Sequence, residues 1–470
     1  MKKIISILVV IFLCAACQTA QVKNNNNQDE KKNIILVIAD GTGPNLMTYL
    51  MEYARLAPNS PYKDKTSNLE KLFSTGKNGI VFNYTAESIV TDSAAAATQF
   101  ATGVKTKPES IGVSADGKKV NSVLYNAKQN GFGTGVLTDV YVLDATPAAF
   151  YAHRQDRKMR DGIIEDMTVT QPDIVLGGGL NYFVSKKDLA EGKYADLLAK
   201  APYLAQVKGQ AKNDDNLSKV INSGYNLAFS KKEMNNIKEG KILGLFAPIY
   251  LPPYPPADWQ GPSLLDMTKK AISVLSKNEK GFFLLVEAGF IDWVAHVNDP
   301  QAVLQELLEF DETLGYIKNF ADKNKNTLVI ISADHDTGSF NFAYLHKDKK
   351  GEYDYHNFDK FNELENGKNF VYDIEQKYKS LPKEQQNSNT IKKIFKEDFG
   401  FQGNLDFLNG IDIFSKAYKK YWEHQGIFWA TETHTHAPLF VIFYGNNANI
   451  KNNVFHNTEL FTVMDDYLNK

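Results

Sequence analysis

Ser93 stands in the run Thr91-Asp92-Ser93-Ala94 and is followed by an alanine-rich stretch to Ala101. A serine hydroxyl is a poor nucleophile at neutral pH unless a base or a metal activates it. The groups able to do so here are histidines and carboxylates. Asp334 and His335 are adjacent, and Asp292 and His296 stand one helical turn apart on a shared face. His434 lies in Thr433-His434-Thr435-His436, shortly before an apolar run. Asp40 and Glu287 offer hard oxygens suited to magnesium or to bridging. Cys14 and Cys17, the two cysteines, both fall near the start, so the rest of the chain has no thiolate ligand and no cysteine nucleophile. Any metal is then held by His, Asp, Glu and hydroxyl groups. Taken singly, each histidine reads as a surface or core residue, Ser93 reads as a helix N-cap, and His436 can be read either way. Their combination points to a metal-activated serine.

Such groups need rigid elements to bring them together. Short Val/Ile/Leu runs at Ile34–Ile38, Gly135–Leu137, Asp173–Leu176, Phe282–Val286, Leu328–Ile331 and Leu439–Phe443 predict buried parallel strands. Amphipathic stretches lie between them, one opened by Ser263 with Asp266 as its capping partner, another over Gln301–Phe320. This alternation predicts an α/β fold, a three-layer α/β/α sandwich around a mainly parallel sheet. Asp40 follows the first run, Asp139 to Thr146 follow the second, and Glu287 and Asp334-His335 close two others. Open α/β sheets bind ligands at the carboxyl ends of their strands, so these segments should converge on one crevice. The alanine run after Ser93 is strong helix former with Gly103 as its stop, which puts Ser93 at a helix N-terminus, a favourable seat for an anion.

Two regions fit the sheet less well. Leu251–Pro262 holds five prolines and predicts a rigid surface loop. Residues from about 340 to 428, rich in Lys, Asn, Tyr and Phe, are too long for a structureless loop and predict an inserted crown or lid subdomain with weak helical periods at Ile391–Phe395 and Leu408–Tyr421. The first residues predict export. Lys2 and Lys3 precede the apolar stretch Ile4–Leu13, too short to span a bilayer, and Ala15 and Ala16 precede Cys17. This resembles a bacterial lipoprotein signal over residues 1–17, with Cys17 lipidated. Residues 18–32 then form a flexible tether, and the main domain covers 33–470. The expected location is the outer membrane, on its periplasmic or surface face, with the lipid as the membrane contact. A net charge of −2 supplies no cationic excess for counterion release, so nucleic-acid binding is not expected.

The strings Ile34-Ile35-Leu36-Val37-Ile38-Ala39-Asp40-Gly41, Val90-Thr91-Asp92-Ser93-Ala94 and Asp144-Ala145-Thr146-Pro147-Ala148-Ala149 resemble bacterial alkaline phosphatases. So do Val286-Glu287-Ala288-Gly289-Phe290-Ile291-Asp292, Asp334-His335-Asp336-Thr337-Gly338 and His434-Thr435, in the family's order. The resemblance implies hydrolysis of small phosphate monoesters through a phosphoserine at Ser93, with two Zn²⁺ and one Mg²⁺. It implies one zinc on Asp292, His296 and His434, and a second on Asp40, Asp334 and His335. Magnesium would take Asp40, Thr146 and Glu287, with Asp144 orienting its water shell. Arg157 matches the arginine that clamps two phosphate oxygens, a task its donor fork suits. The N–H groups after Ser93 would cover the remaining oxygen. His153 falls in the same matched segment as a structural or outer residue. Two metals about 4 Å apart would activate the serine and stabilise the departing alkoxide. Ser93 together with Arg157 favours monoesters over the diesters and sulfates of related enzymes, and the family implies a homodimer.

Three departures carry expectations. Asp336 and Ser339 replace the family's usual Glu and Gly, mild changes. The long stretch between His335 and His434 should enlarge the crown at the site mouth. Trp293 follows Asp292 at a position that touches the phosphate site through water and that holds lysine in some relatives. An indole brings no positive charge, so Trp293→Lys is expected to tighten competitive inhibition by inorganic phosphate, read as a lower inhibition constant; an unchanged constant would refute the role.

Overall fold

Near-continuous Val/Ile/Leu runs have no wet face, so they must lie in a sheet covered on both sides. The computed structural model describes residues 31–469 apart from 201, 214, 347–351, 355–357, 446–449 and 451. The expected signal with Cys17, and all but the last two residues of the expected tether, lie outside the described residues. The main strands are β1 (Lys32–Ala39), β2 (Lys77–Phe82), β3 (Gly133–Tyr141), β4 (Ile174–Gly178), β5 (Tyr225–Ala228), β6 (Lys241–Leu245), β7 (Gly281–Ala288), β8 (Thr327–Ser332), β9 (Leu439–Tyr444) and β10 (Val454–His456). They form one ten-stranded sheet in the order β10-β2-β9-β8-β1-β7-β3-β4-β6-β5, flanked by helices. Every residue of β3, β7 and β8 is buried.

The sheet is parallel except at β9, which runs antiparallel to both β8 and β2. The apolar run Leu439–Phe443 was expected to be parallel, and this is a correction. A doubly covered strand reads the same in either direction. Its direction is set by the preceding segment, which leaves the chain at the carboxyl edge beside His434, so the strand runs back down. The partly exposed β2 and the three-residue β10 carry no comparable sequence signal.

Register explains why the acids meet. β1 lies between β7 and β8, and Ile38 pairs with Glu287 on one side and Ser332 on the other. Asp40 and Asp334, each two residues further on, therefore leave the sheet at one level with Glu287 beside them. Four helices bring the remaining groups: α1 (Ser93–Thr102), α2 (Ala145–Ala149), α3 (Phe290–His296) and α4 (Pro300–Lys323). The α1 helix is buried at every residue and ends where Gly103 turns left-handed at φ 72°. The α3 helix begins without a side-chain cap of its own. Asp139, from β3, accepts from Gly289 N and Phe290 N at 2.7 and 2.9 Å instead. The capping box of Ser263 and Asp266 forms as expected at the start of the helix Leu264–Leu275.

Residues 340–428 carry helices α5 (Lys360–Glu365), α6 (Val371–Lys379), α7 (Ser388–Asp398) and α8 (Phe414–His424). The period expected over Leu408–Tyr421 becomes helical only from Phe414, because Gly410 adopts φ 77° and breaks the first part. Phe395, Phe401 and Tyr421 form an aromatic core there, with Phe401 and Tyr421 stacked at 3.7 Å. One buried carboxylate fastens this insert to the sheet domain. Asp299 caps α4 through Ala302 N and also accepts from Val371 N at 3.1 Å and the Tyr418 hydroxyl at 2.9 Å. Burial pushes its carboxyl up to about 6, against those hydrogen bonds, which favour the charged form. Asp299→Ala strands three buried donors and is expected to lower stability by roughly 2–4 kcal/mol in denaturant unfolding. Limited proteolysis should then cut first within 340–428; cleavage spread evenly over the chain would contradict this anchoring.

Candidate active site

The cap of α1 is Asp92, not Ser93. Its carboxylate accepts from Ala94 N at 3.1 Å and Ala95 N at 3.2 Å, reaching two donors that a serine hydroxyl could not serve together. Ser93 is the first helical residue, and its Oγ is free to lie 3.1 Å from His335 Nε2. The same bonds correct the expectation that N–H groups after Ser93 serve the phosphate, since those of Ala94 and Ala95 already belong to Asp92. More of that task falls to Arg157. Its guanidinium lies 2.8 Å from Asp144 and 3.5 Å from Asp92, so a carboxylate at the start of each of two helices aims it. Asp144 also caps α2 through Ala145 N at 2.8 Å.

Asp292, His296 and His434 form one cluster. The two imidazoles oppose their Nε2 atoms at 3.2 Å, and Asp292 Oδ2 lies 3.3 Å from that of His296. Each other ring nitrogen faces a backbone carbonyl: Nδ1 of His296 meets Glu432 O at 2.6 Å, and Nδ1 of His434 meets Thr91 O at 2.9 Å. A carbonyl can only accept, so both Nδ1 atoms carry protons, and once a ring loses its second proton its Nε2 presents a lone pair to the cluster. Against desolvation, the hydrogen bond and charge of Asp292 raise His296 to about 9. Asp292 is itself held below the usual carboxylate range, because the bond from His296 and the nearby imidazoles outweigh its burial.

His335 belongs to the second cluster, with Asp40 and Asp334. Thr337 Oγ1 donates to Asp292 Oδ1, so it must accept from His335 Nδ1, 3.2 Å away. That assignment leaves His335 Nε2 bare, facing Asp334 Oδ2 at 3.2 Å and Asp40 Oδ1 at 3.4 Å. Neither oxygen has a hydrogen-bond donor. Burial and the nearby imidazole of His434 hold His335 well below the ordinary histidine value, so it stays neutral. Lone pairs aimed at carboxylate oxygens repel, and a cation among them removes the conflict. The donor atoms of Asp292, His296 and His434, and likewise those of Asp40, Asp292 and His335, lie within 4.8 Å of one another. Nitrogen and carboxylate donors at this spacing fit zinc. The carbonyls on the far side of each ring are the usual outer partners of ligating imidazoles.

A third group is all oxygen. Both Glu287 carboxylate oxygens and Thr146 Oγ1 are buried without hydrogen-bond partners, as is Asp40 Oδ1. Burial and neighbouring acids drive Glu287 and Asp40 well above the carboxylate range, and Asp334 to about 6. Orphaned hard oxygens of this kind fit magnesium.

The remaining expected residues fall in several places. Trp293 lines the cleft beside Ser93, Asp144 and Arg157. His153 sits apart, its ring against Val120 O at 3.1 Å and its backbone N–H on Asp166, which is a structural role. His436 is exposed and belongs to neither cluster. The histidine-orienting carbonyls of Thr91 and Glu432 were missed, and so was Thr337, because nothing in side-chain type marks them. Tyr141, Tyr250, Phe370 and Tyr372 also wall the cleft, and nothing in their types or spacing marks them for it.

Fold and site together define an α/β protein with residue clusters able to hold divalent cations around a helix-terminal serine. A family model described as alkaline phosphatase matches residues 31–469. Alkaline phosphatase 4 of Bacillus subtilis (strain 168) is 38% identical over 65% of this chain and 62% of its own length. The chain thus spans less than two thirds of that relative. A cold-active alkaline phosphatase from the psychrophile Shewanella sp. superposes with TM-score 0.74 at 26% identity, covering 93% of this chain and 100% of its own. A variant TAB5 alkaline phosphatase with Mg bound in the M3 site superposes with TM-score 0.64 at 25% identity, covering 94% and 98%. The chain belongs to the alkaline phosphatase family.

Loading the centre requires carboxyls and imidazoles now holding protons to lose them. Titrating metal-stripped protein with zinc and magnesium at pH 6, in buffers of different ionisation enthalpy, should therefore show net proton release, smaller at pH 8, where Asp334, raised to about 6, is already ionised. Proton uptake, or no binding, would contradict the assignment. Stripped protein should also melt at a lower temperature, with zinc restoring it.

Proposed function

We propose that this chain hydrolyses phosphate monoesters, forming a phosphoserine at Ser93 and releasing inorganic phosphate, at a site that holds two zinc ions and one magnesium. The observation that carries the reading is the convergence of three imidazole Nε2 atoms and four buried carboxylates beside Ser93 Oγ. Asp292, His296 and His434 would hold one zinc, Asp40, Asp334 and His335 the other, and Asp40, Thr146 and Glu287 magnesium. When bound, these ions supply Lewis acidity that favours the Ser93 alkoxide and the leaving oxygen.

The chain's own groups do the positioning. Ser93 Oγ, at the positive end of α1, meets phosphorus from one side, and the helix dipole favours the dianion there. Arg157 presents its fork to two non-bridging oxygens, pre-aimed by Asp92 and Asp144, so little orientation is lost on binding. Attack by Ser93 Oγ on phosphorus breaks the bond to the ester oxygen, which departs on the opposite side and takes up a proton. Water then attacks the phosphoserine along the vacated direction and returns the Ser93 hydroxyl with free phosphate.

We also infer export and attachment to the outer membrane through a lipid on Cys17, on the strength of the basic, apolar and small-residue run before it. Palmitate labelling should be lost in Cys17→Ala; labelling that persists would refute the anchor.

The activity is tested with a phenyl phosphate substrate, comparing wild type with Ser93→Ala, each with chelator and with restored zinc. Turnover should fall at least a thousandfold in Ser93→Ala and vanish reversibly with chelator in the wild type. Equal turnover in Ser93→Ala, or full activity under chelator, would overturn the proposal.

A further inference from the structure

The cleft at Ser93 encloses about 560 Å³, far more than a phosphate needs. Its inner end is polar, with Ser93, Arg157, Asp144 and the first cation cluster. Its outer wall is aromatic. Trp293 and Val297 each follow a cluster residue on or just after α3, Asp292 and His296 respectively, so this wall adjoins the Asp292, His296 and His434 cluster; His335 of the other cluster lies at Ser93 Oγ, which leaves this one for the departing oxygen. Tyr250 packs its ring on Trp293 at 5.4 Å, edge to face. Phe370 and Tyr372, from the insert at and just inside the start of α6, complete the opposite side, with their ring centroids 6.1 Å apart.

The aromatics form a continuous series rather than scattered neighbours. Phe370 rests on buried Phe290 at 5.5 Å, and Phe290 in turn contacts Trp293 at 5.8 Å and Tyr250 at 4.4 Å. Asp299 fixes the insert side through Val371 N, one residue after Phe370. Tyr372 is nevertheless 46% exposed, a large ring lining the cleft and left partly open to solvent. No lysine or arginine other than Arg157 lines this cleft among the described residues. An anionic or strongly polar tail therefore has no counter-charge there, whereas a planar ring would meet faces and edges at stacking distance.

We propose that Trp293, Tyr250, Phe370 and Tyr372 form a leaving-group subsite that selects phosphate monoesters of alcohols bearing an aromatic ring. The subsite rests on the monoesterase reading for its orientation but binds through groups that reading does not use. Two side chains come from residues 340–428, so the insert contributes substrate choice.

The test compares benzyl phosphate with ethyl phosphate, whose alcohols leave with similar ease, in wild type, Tyr372→Ala and Phe370→Leu. The ratio of kcat/KM for benzyl over ethyl should be at least tenfold in wild type and fall about tenfold in Tyr372→Ala. Phe370→Leu retains the apolar packing beneath while removing the ring and should lower the ratio in the same direction, whereas Tyr372→Phe should preserve it. A ratio near one in wild type, or equal losses on both substrates in both variants, would overturn the subsite. Binding of benzylphosphonate against ethylphosphonate, followed by tryptophan fluorescence, separates the two readings. Preference for benzylphosphonate without turnover of any monoester would sink the activity and leave the subsite standing; turnover without that preference would do the reverse.

Discussion

Asp40, Glu287, Asp292 and Asp334 end in one buried patch at the carboxyl edge of the sheet, and their mutual repulsion is the constraint on which the rest depends. Two like charges 4 Å apart repel by about 4 kcal/mol at an effective dielectric of 20. A few such pairs rival the roughly 5–15 kcal/mol by which a folded domain is stable. Proton uptake relieves part of this, as the raised Asp40, Glu287 and Asp334 show. It does not reach His335, which burial keeps neutral, so its Nε2 lone pair still faces Asp40 and Asp334 and needs a positive partner.

The scaffold can hold so unfavourable an arrangement because the groups sit on its stiffest parts. β1 is hydrogen-bonded on both sides, and its neighbours β7 and β8 supply the acids beside Asp40. Backbone N–H groups steady the carboxylates further: Asp334 Oδ1 accepts from Gly41 N at 3.1 Å and His335 N at 2.9 Å. Gly41 is required for this approach, since it adopts φ 66° and a Cβ there would meet Asp292 at 2.7 Å. The imidazoles are fixed from behind by carbonyls and a threonine, so the geometry is built before any ion arrives.

Much of this was legible in sequence. The buried strands announce themselves because two covered faces leave no polar alternation, and the acids after them follow from where open sheets bind ligands. Asp292 and His296 were readable from helical spacing. The direction of β9 was not, because burial pattern carries no polarity, and neither was the division of labour at α1, where Asp92 takes the cap and its two N–H donors. Nor could side-chain types reveal the carbonyls of Thr91 and Glu432, which any residue could supply. The aromatic wall was hidden for another reason: Phe370 and Tyr372 come close to Trp293 only through the anchoring of the insert at Asp299.

The central claim is that cations, not protons, reconcile the buried donors beside Ser93. Anomalous diffraction above and below the zinc edge, on crystals grown with zinc and magnesium, tests it most directly. The account predicts two zinc peaks, one among Asp292, His296 and His434 and one among Asp40, Asp334 and His335, with a lighter ion at Glu287 and Thr146. Crystals of active enzyme with no peak at either cluster would contradict it.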